Sequence, residues 1–130
     1  MEKKLLVTAG ILGAISVILG AFAAHGLKPI LSSNELESFQ TGVRYQFYHA
    51  FFLMFIALVP GLTEGSKSIL FILILAGIIL FSGSIYILCL DEHFLKIKLT
   101  AIAFVTPLGG TLLIAAWVVF ILKVIKYYPK

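Results

Sequence analysis

At 130 residues the chain has room for one domain, but 61% hydrophobic and 12% charged residues, with a mean hydropathy of +1.10, exclude a water-soluble globular protein. The net charge of +4 comes from Lys and Arg gathered at the ends of apolar segments, where they meet lipid headgroups and not nucleic acid. The single cysteine, Cys89, excludes an internal disulfide and a multi-cysteine metal site.

Residues 5–24 form an uncharged run of 20, long enough to cross roughly 30 Å of hydrocarbon as a helix. Lys3 and Lys4 ahead of it and Ala-Phe-Ala-Ala at 21–24 resemble a secretory signal. Such signals carry an apolar run of only about 7 to 15 residues, so we expect a retained first helix. Its small residues Ala9, Gly13, Ser16, Gly20 and Ala24 recur at steps of three and four and make a stripe on which a neighbouring helix can lie close. His25-Gly26 and Lys28-Pro29 end it.

Ser32 and Glu35 are spaced as a capping box, so a second helix over residues 33–60 starts outside the membrane. Leu36, Phe39 and Val43 give that opening part an apolar side. It runs on into an apolar segment at 45–62, whose first turns are crowded with polar groups. At 3.6 residues per turn Thr41, Tyr45 and His49 share a face with Gly42 and Gln46, and Arg44 and Tyr48 stand beside them. Pro60-Gly61 closes the helix, and the short polar connection at 61–68 makes helices 2 and 3 antiparallel neighbours.

The third span, residues 69–90, carries Ala76, Gly77 and, towards its far end, Phe81-Ser82-Gly83-Ser84-Ile85-Tyr86. After a connection at 91–98 comes a fourth helix over 99–124. In it Thr106-Pro107-Leu108-Gly109-Gly110 predicts a kink or loosening about a third of the way along, because proline removes a donor and crowds the carbonyl one turn earlier. The expected fold class is all-α: an antiparallel four-helix transmembrane bundle with a short extramembrane N-terminal extension of helix 2. Residues 1–130 then form a single integral membrane domain, with connections too short to hold a soluble one.

With an even number of spans both termini share a side with the second connection. That side holds Lys3, Lys4, Lys67, Lys123, Lys126 and Lys130, against Lys28, Arg44, Lys96 and Lys98 on the other, which places both termini in the cytoplasm by the positive-inside rule.

This topology sets depths. At about 1.5 Å per residue, His49 falls about one turn inside the non-cytoplasmic boundary. Ser82, Ser84, Tyr86 and Thr106 fall near the same boundary, and helix 1 presents His25 there. We therefore expect a polar layer made of His25, Arg44, Tyr45, Gln46, His49, Ser82, Ser84, Tyr86 and Thr106, with Gly13, Gly20, Gly83, Gly109 and Gly110 at helix contacts.

Two explanations of the layer stay open. Its groups satisfy one another and fix the helix register, through interhelical bonds that average about 0.6 kcal/mol. Alternatively they line a pocket for a lipid headgroup, quinone or other amphiphile, with Arg44 as the anion contact through its fixed charge and forked donors. His25 and His49, on different helices, also have the form of two haem or metal ligands. No second carboxylate or thiolate accompanies them, and no metal or cofactor is expected. His93, beside Asp91 and Glu92, reads as part of a solvated loop, and Cys89 as a small apolar group at a helix end. With no intramembrane carboxylate pair and no nucleophile and base at a working spacing, an enzyme is not expected. The long uncharged runs do not make a continuous polar path for transport.

Four motifs carry a likeness. Gly-Ala-Phe-Ala-Ala-His-Gly-Leu-Lys at 20–28, Thr-Gly-Val-Arg-Tyr-Gln-Phe-Tyr-His-Ala at 41–50, Phe-Ser-Gly-Ser-Ile-Tyr at 81–86 and Thr-Pro-Leu-Gly-Gly at 106–110 stand in the order they take in a family of small membrane proteins, domain of unknown function 423. That family includes homologues of transmembrane protein 256, and the resemblance covers nearly the whole chain. It implies a four-helix membrane protein whose recurring residues are those of the polar layer, and it implies no activity. The expected role is a non-enzymatic structural or assembly component of the bacterial cytoplasmic membrane, in contact with lipid and with copies of itself or another membrane protein. The alternative is the amphiphile-binding protein described above.

Overall fold

The computed structural model describes residues 1–96 and 99–130, and every regular element among them is helical. Lys98, counted above among the charges of the third connection, lies outside the described residues. Four helices follow one another: α1 (Glu2–His25), α2 (Ser33–Leu58), α3 (Glu64–Leu95) and α4 (Thr100–Tyr127). By length and composition α1, α3 and α4 can each cross a membrane. α2 is as long, but its first half carries Glu35, Glu37 and Arg44.

Capping sets the starts. Ser32 Oγ accepts from the Glu35 amide at 3.2 Å, and Glu35 Oε1 accepts from the Ser32 amide at 3.0 Å, so the capping box forms as predicted. Thr63 caps α3 in the same way, accepting from the Ser66 amide at 3.1 Å. α3 therefore begins at Glu64, before the apolar run at 69: hydropathy marks where a helix enters lipid, and the cap marks where it starts.

α3 is not uniform. It is α-helical over Glu64–Ile78, opens into a π turn at Ile79–Gly83, is α-helical again over Ser84–Leu90 and closes with a second π turn at Asp91–Leu95. Lys96 then takes a left-handed φ of 54° and ends it. The irregularity expected at 106–110 lies elsewhere. α4 opens with a 3₁₀ turn, Thr100–Phe104, and Pro107 is the third residue of the α-helical part, Val105–Tyr127, where the missing amide would have had only the preceding turn to bond. The loosening is thus upstream of Pro107, and the glycines after it continue the helix.

Those glycines have another use. A Cβ on Gly109 would lie 2.3 Å from the Phe81 amide nitrogen, so the α4 backbone rests directly on the π turn of α3. Gly77 is equally tight against Leu113, at 2.5 Å, and Gly42 against the Tyr86 ring, at 2.9 Å. Gly13, Gly20 and Gly110 make ordinary contacts at 3.9, 3.6 and 3.5 Å, whereas Gly83 meets nothing within 4 Å.

α1 runs antiparallel along α2, α3 lies along α4, and α3 joins the two pairs through α2. One apolar core, containing Leu5, Leu53, Ile56, Leu70, Ile74 and Ala116, fills the end near the termini. A smaller one, Ala23, Leu27, Leu31, Phe39 and Cys89, fills the other. At the first end the Met1 amino group pairs with Glu64 at 3.3 Å and Lys67 Nζ with Glu2 at 2.6 Å, while Gly61 abuts the Tyr127 carbonyl. Both termini and the second connection therefore gather at one end of the bundle.

Candidate functional site

Between the two apolar cores the helices are clasped by polar side chains. The Gln46 amide nitrogen donates to the Leu12 carbonyl of α1 at 3.0 Å, and Ser16 Oγ donates to the same carbonyl at 2.7 Å. The Tyr86 hydroxyl of α3 donates to Gln46 Oε1 at 2.8 Å. Ser82 Oγ, on the π turn, donates to the Gly42 carbonyl at 2.7 Å, while the Tyr86 ring and Ile85 fill the space that the absent Gly42 side chain leaves. Three helices are joined through one glutamine. The π turn is what aims Ser82 at α2, since an inserted residue rotates the side chains after it relative to a straight helix.

A second set joins α2 to α4. Trp117 Nε1 donates to His49 Nε2 at 3.2 Å, which leaves His49 Nδ1 to carry the proton it donates to the Tyr45 carbonyl at 2.7 Å. Both ring nitrogens are thus engaged, the ring is buried, and Phe52 stacks on the indole at a centroid separation of 3.8 Å. Above this contact the two helices leave a crevice of ≈ 340 Å³, lined by Thr41, Tyr45 and His49 of α2, Phe81 of α3, and Gly110, Leu113, Ile114 and Trp117 of α4. Tyr45, Ile114 and Trp117 remain 42%, 66% and 45% exposed, so the crevice opens sideways toward lipid.

A third set lies nearer the start of α2. Ser84 Oγ and Thr106 Oγ1 share a short hydrogen bond, and Cys89 Sγ donates to the Glu35 carbonyl at 3.3 Å. His93 is not simply solvated: its Nε2 lies 3.1 Å from Glu35 Oε2. The Ser32 amide first, then the Ser32 hydroxyl and His93, hold the Glu35 carboxyl below the usual carboxylate value against a smaller opposing effect of burial. Asp91 is buried and closes the third connection, accepting from the Glu92 and Leu99 amides at 2.7 and 2.8 Å.

The predicted layer is therefore divided. Gln46, Ser82 and Tyr86 meet at the middle of the bundle, His49 sits in the neighbouring contact with Trp117, and Ser84 with Thr106 lies closer to one end. The level is deeper than expected: Leu12, which Gln46 reaches, is thirteen residues from the end of α1, or roughly 20 Å along its axis. His25, exposed at that end, stands as far away from the Gln46 level. Arg44 and Tyr45 are exposed, on the outer side of α2, and Arg44 donates to Thr41 Oγ1 at 3.0 Å. Among the described residues no three His, Cys, Asp or Glu side chains converge, and no buried side-chain polar atom lacks a partner.

Several residues of the site carried no separate signal in the sequence. Trp117 sits inside a long apolar run and looks like core until its indole finds His49. The Leu12 carbonyl accepts from both Ser16 and Gln46 because both side chains lie on the α1–α2 seam. Lys67 and Glu2, of opposite charge at the starts of the parallel helices α3 and α1, are a pair that end-to-end topology could have matched.

A family described as protein of unknown function (DUF423) matches residues 19–110 of the chain. Among similar proteins are the UPF0382 membrane protein YwdK of Bacillus subtilis, 37% identical over 90% of this chain and 95% of that one, and the UPF0382 membrane protein SAB0533 of Staphylococcus aureus, 36% identical over 95% and 98%. The UPF0382 inner membrane protein YgdD of Escherichia coli is 35% identical over 99% of this chain and 95% of its own. No solved structure matches.

Proposed function

This chain belongs to the DUF423 family of membrane proteins, and from that premise we propose that it is a non-enzymatic structural or assembly component of the bacterial cytoplasmic membrane. It is multi-pass, one integral membrane domain over its whole length, with both termini in the cytoplasm. The observation that supports this reading is the internal pairing of the buried polar groups: Gln46, Tyr86, Ser82, His49 and Trp117 are all engaged within the bundle. A hydrogen-bonding group held this way fixes helix register and leaves no donor or acceptor poised for a reaction. Assembly would use the outward surface, as the inner one is closed. Native mass spectrometry of protein released gently from its own membrane is the test. Masses above one chain, from a second copy or a membrane-protein partner, are expected; a bare single chain at every detergent concentration overturns the proposal.

A second reading has its own support, the crevice between α2 and α4. A lateral opening of that size with aromatic walls suits a lipid or another amphiphile entering from the bilayer. In the same spectra it predicts a retained small molecule, and repeated ligand-free spectra count against it.

A further inference from the structure

The geometry points to an anionic phospholipid as the occupant of the crevice, with one acyl chain between α2 and α4 and its phosphate on Arg44. The inference rests on the second reading above and names its ligand. Arg44 is exposed on a helix within a membrane bundle, and among the described residues it forms no ion pair. An uncompensated guanidinium at that depth is costly unless it reaches headgroups or an anion. Its side chain turns back one helical turn to Thr41, 3.0 Å away, and so toward the start of α2 and the membrane surface. Thr41 is also the upper wall of the crevice. The one acid on this outer face, Glu37, stands two turns nearer the helix start, roughly 10 Å away along the axis, and does not neutralise it. Arg44 itself borders the groove between α1 and α2, with Val17, Val43 and Phe47, and meets the crevice through its hydrogen bond to the wall residue Thr41.

The apolar part is shaped for a chain. Phe81 forms the floor, and Gly110 leaves its side of the wall open. His49 and Trp117 seal the deep end with a hydrogen bond that engages both ring systems. Because His49 has no nitrogen to spare, the deep part recognises by shape and the mouth by charge. An uncharged quinone would use only the first of these.

Trp117 is the single tryptophan of the chain and lies in the wall, so it reports on what enters. The full chain is reconstituted in phosphatidylcholine vesicles, and its fluorescence is titrated with chain-brominated phosphatidylglycerol or chain-brominated phosphatidylcholine. Half-quenching is expected at about fivefold lower mole fraction of the glycerol lipid, the preference one basic side chain confers. Arg44→Gln is expected to equalise the two, and Gly110→Leu, which fills the crevice, to weaken quenching by the brominated phosphatidylglycerol. Equal quenching of the unmodified protein by both lipids overturns the inference without any variant having to fold. So does a preference that survives Arg44→Gln. A retained uncharged molecule in native mass spectra alongside equal quenching would sink the phospholipid and keep the wider amphiphile reading.

Discussion

The Tyr86 hydroxyl is the link that ties α3 to the α2 glutamine, and its removal isolates one bond with little change of shape. Tyr86→Phe leaves Gln46 Oε1 without its donor and is expected to lower the melting temperature in detergent, by a free-energy loss of about 0.6 kcal/mol and at most about 1.7. Gln46→Leu severs the bond to the Leu12 carbonyl as well and costs more. The double variant should lose less than the sum of the two, because both act on one network; additive losses measured by thermal melting would dissolve the clasp into separate contacts. At the start of α2, Glu35 has its carboxyl held below the usual value of 4.5. Its folded form is the more acidic, so its contribution is full above about pH 4.5 and is lost as pH falls through the lowered folded value. The melting advantage of the unmodified protein over Glu35→Gln should therefore shrink toward zero in that acid window; an advantage unchanged down to about pH 3 would contradict this.

At the scale of the element, the π turn of α3 and the glycine of α4 are two halves of one contact. The π turn widens the α3 backbone at Ile79–Gly83 and sends Ser82 to α2, and α4 can then follow it closely only without a side chain at 109. Gly109→Ala sets a methyl group against backbone atoms that cannot rotate away, and is expected to cost about 1 to 3 kcal/mol as overpacking. Gly83→Ala enters open space and should be neutral or stabilising by up to about 1 kcal/mol, as alanine loses less chain entropy in a helix. Melting the two variants side by side decides it: equal losses would mean that the helix–helix approach does not depend on position 109. The sequence motif at 81–86 announced small and polar residues in an apolar span. It could not announce the π turn, whose extra residue is selected by what packs on it.

For the whole molecule, the termini and the second connection form a charged end that closes the bundle. Lys67 is buried at this end and has Glu2 as its partner, while Glu2 itself is largely exposed. Glu2→Gln should therefore lower the melting temperature, because it leaves the buried Lys67 ammonium without its partner, and added salt should partly mimic the loss. Reporter domains fused in turn to the N- and C-terminus should register the same side of the membrane, and opposite readings would break the antiparallel topology. Hydropathy, length and capping by themselves determined the class of the fold, the number of helices, the start of α2 and which connections share an end, because lipid requires each backbone to bond within its own helix. They also picked out Gln46, Ser82 and Tyr86 as groups in need of company. Only the tertiary structure decided which of the polar residues turn inward. Arg44 and Gln46 are two residues apart on α2, and the rotation that buries the glutamine against α1 and α3 leaves the arginine outside, a choice fixed by the packing of neighbouring helices and invisible in any one of them.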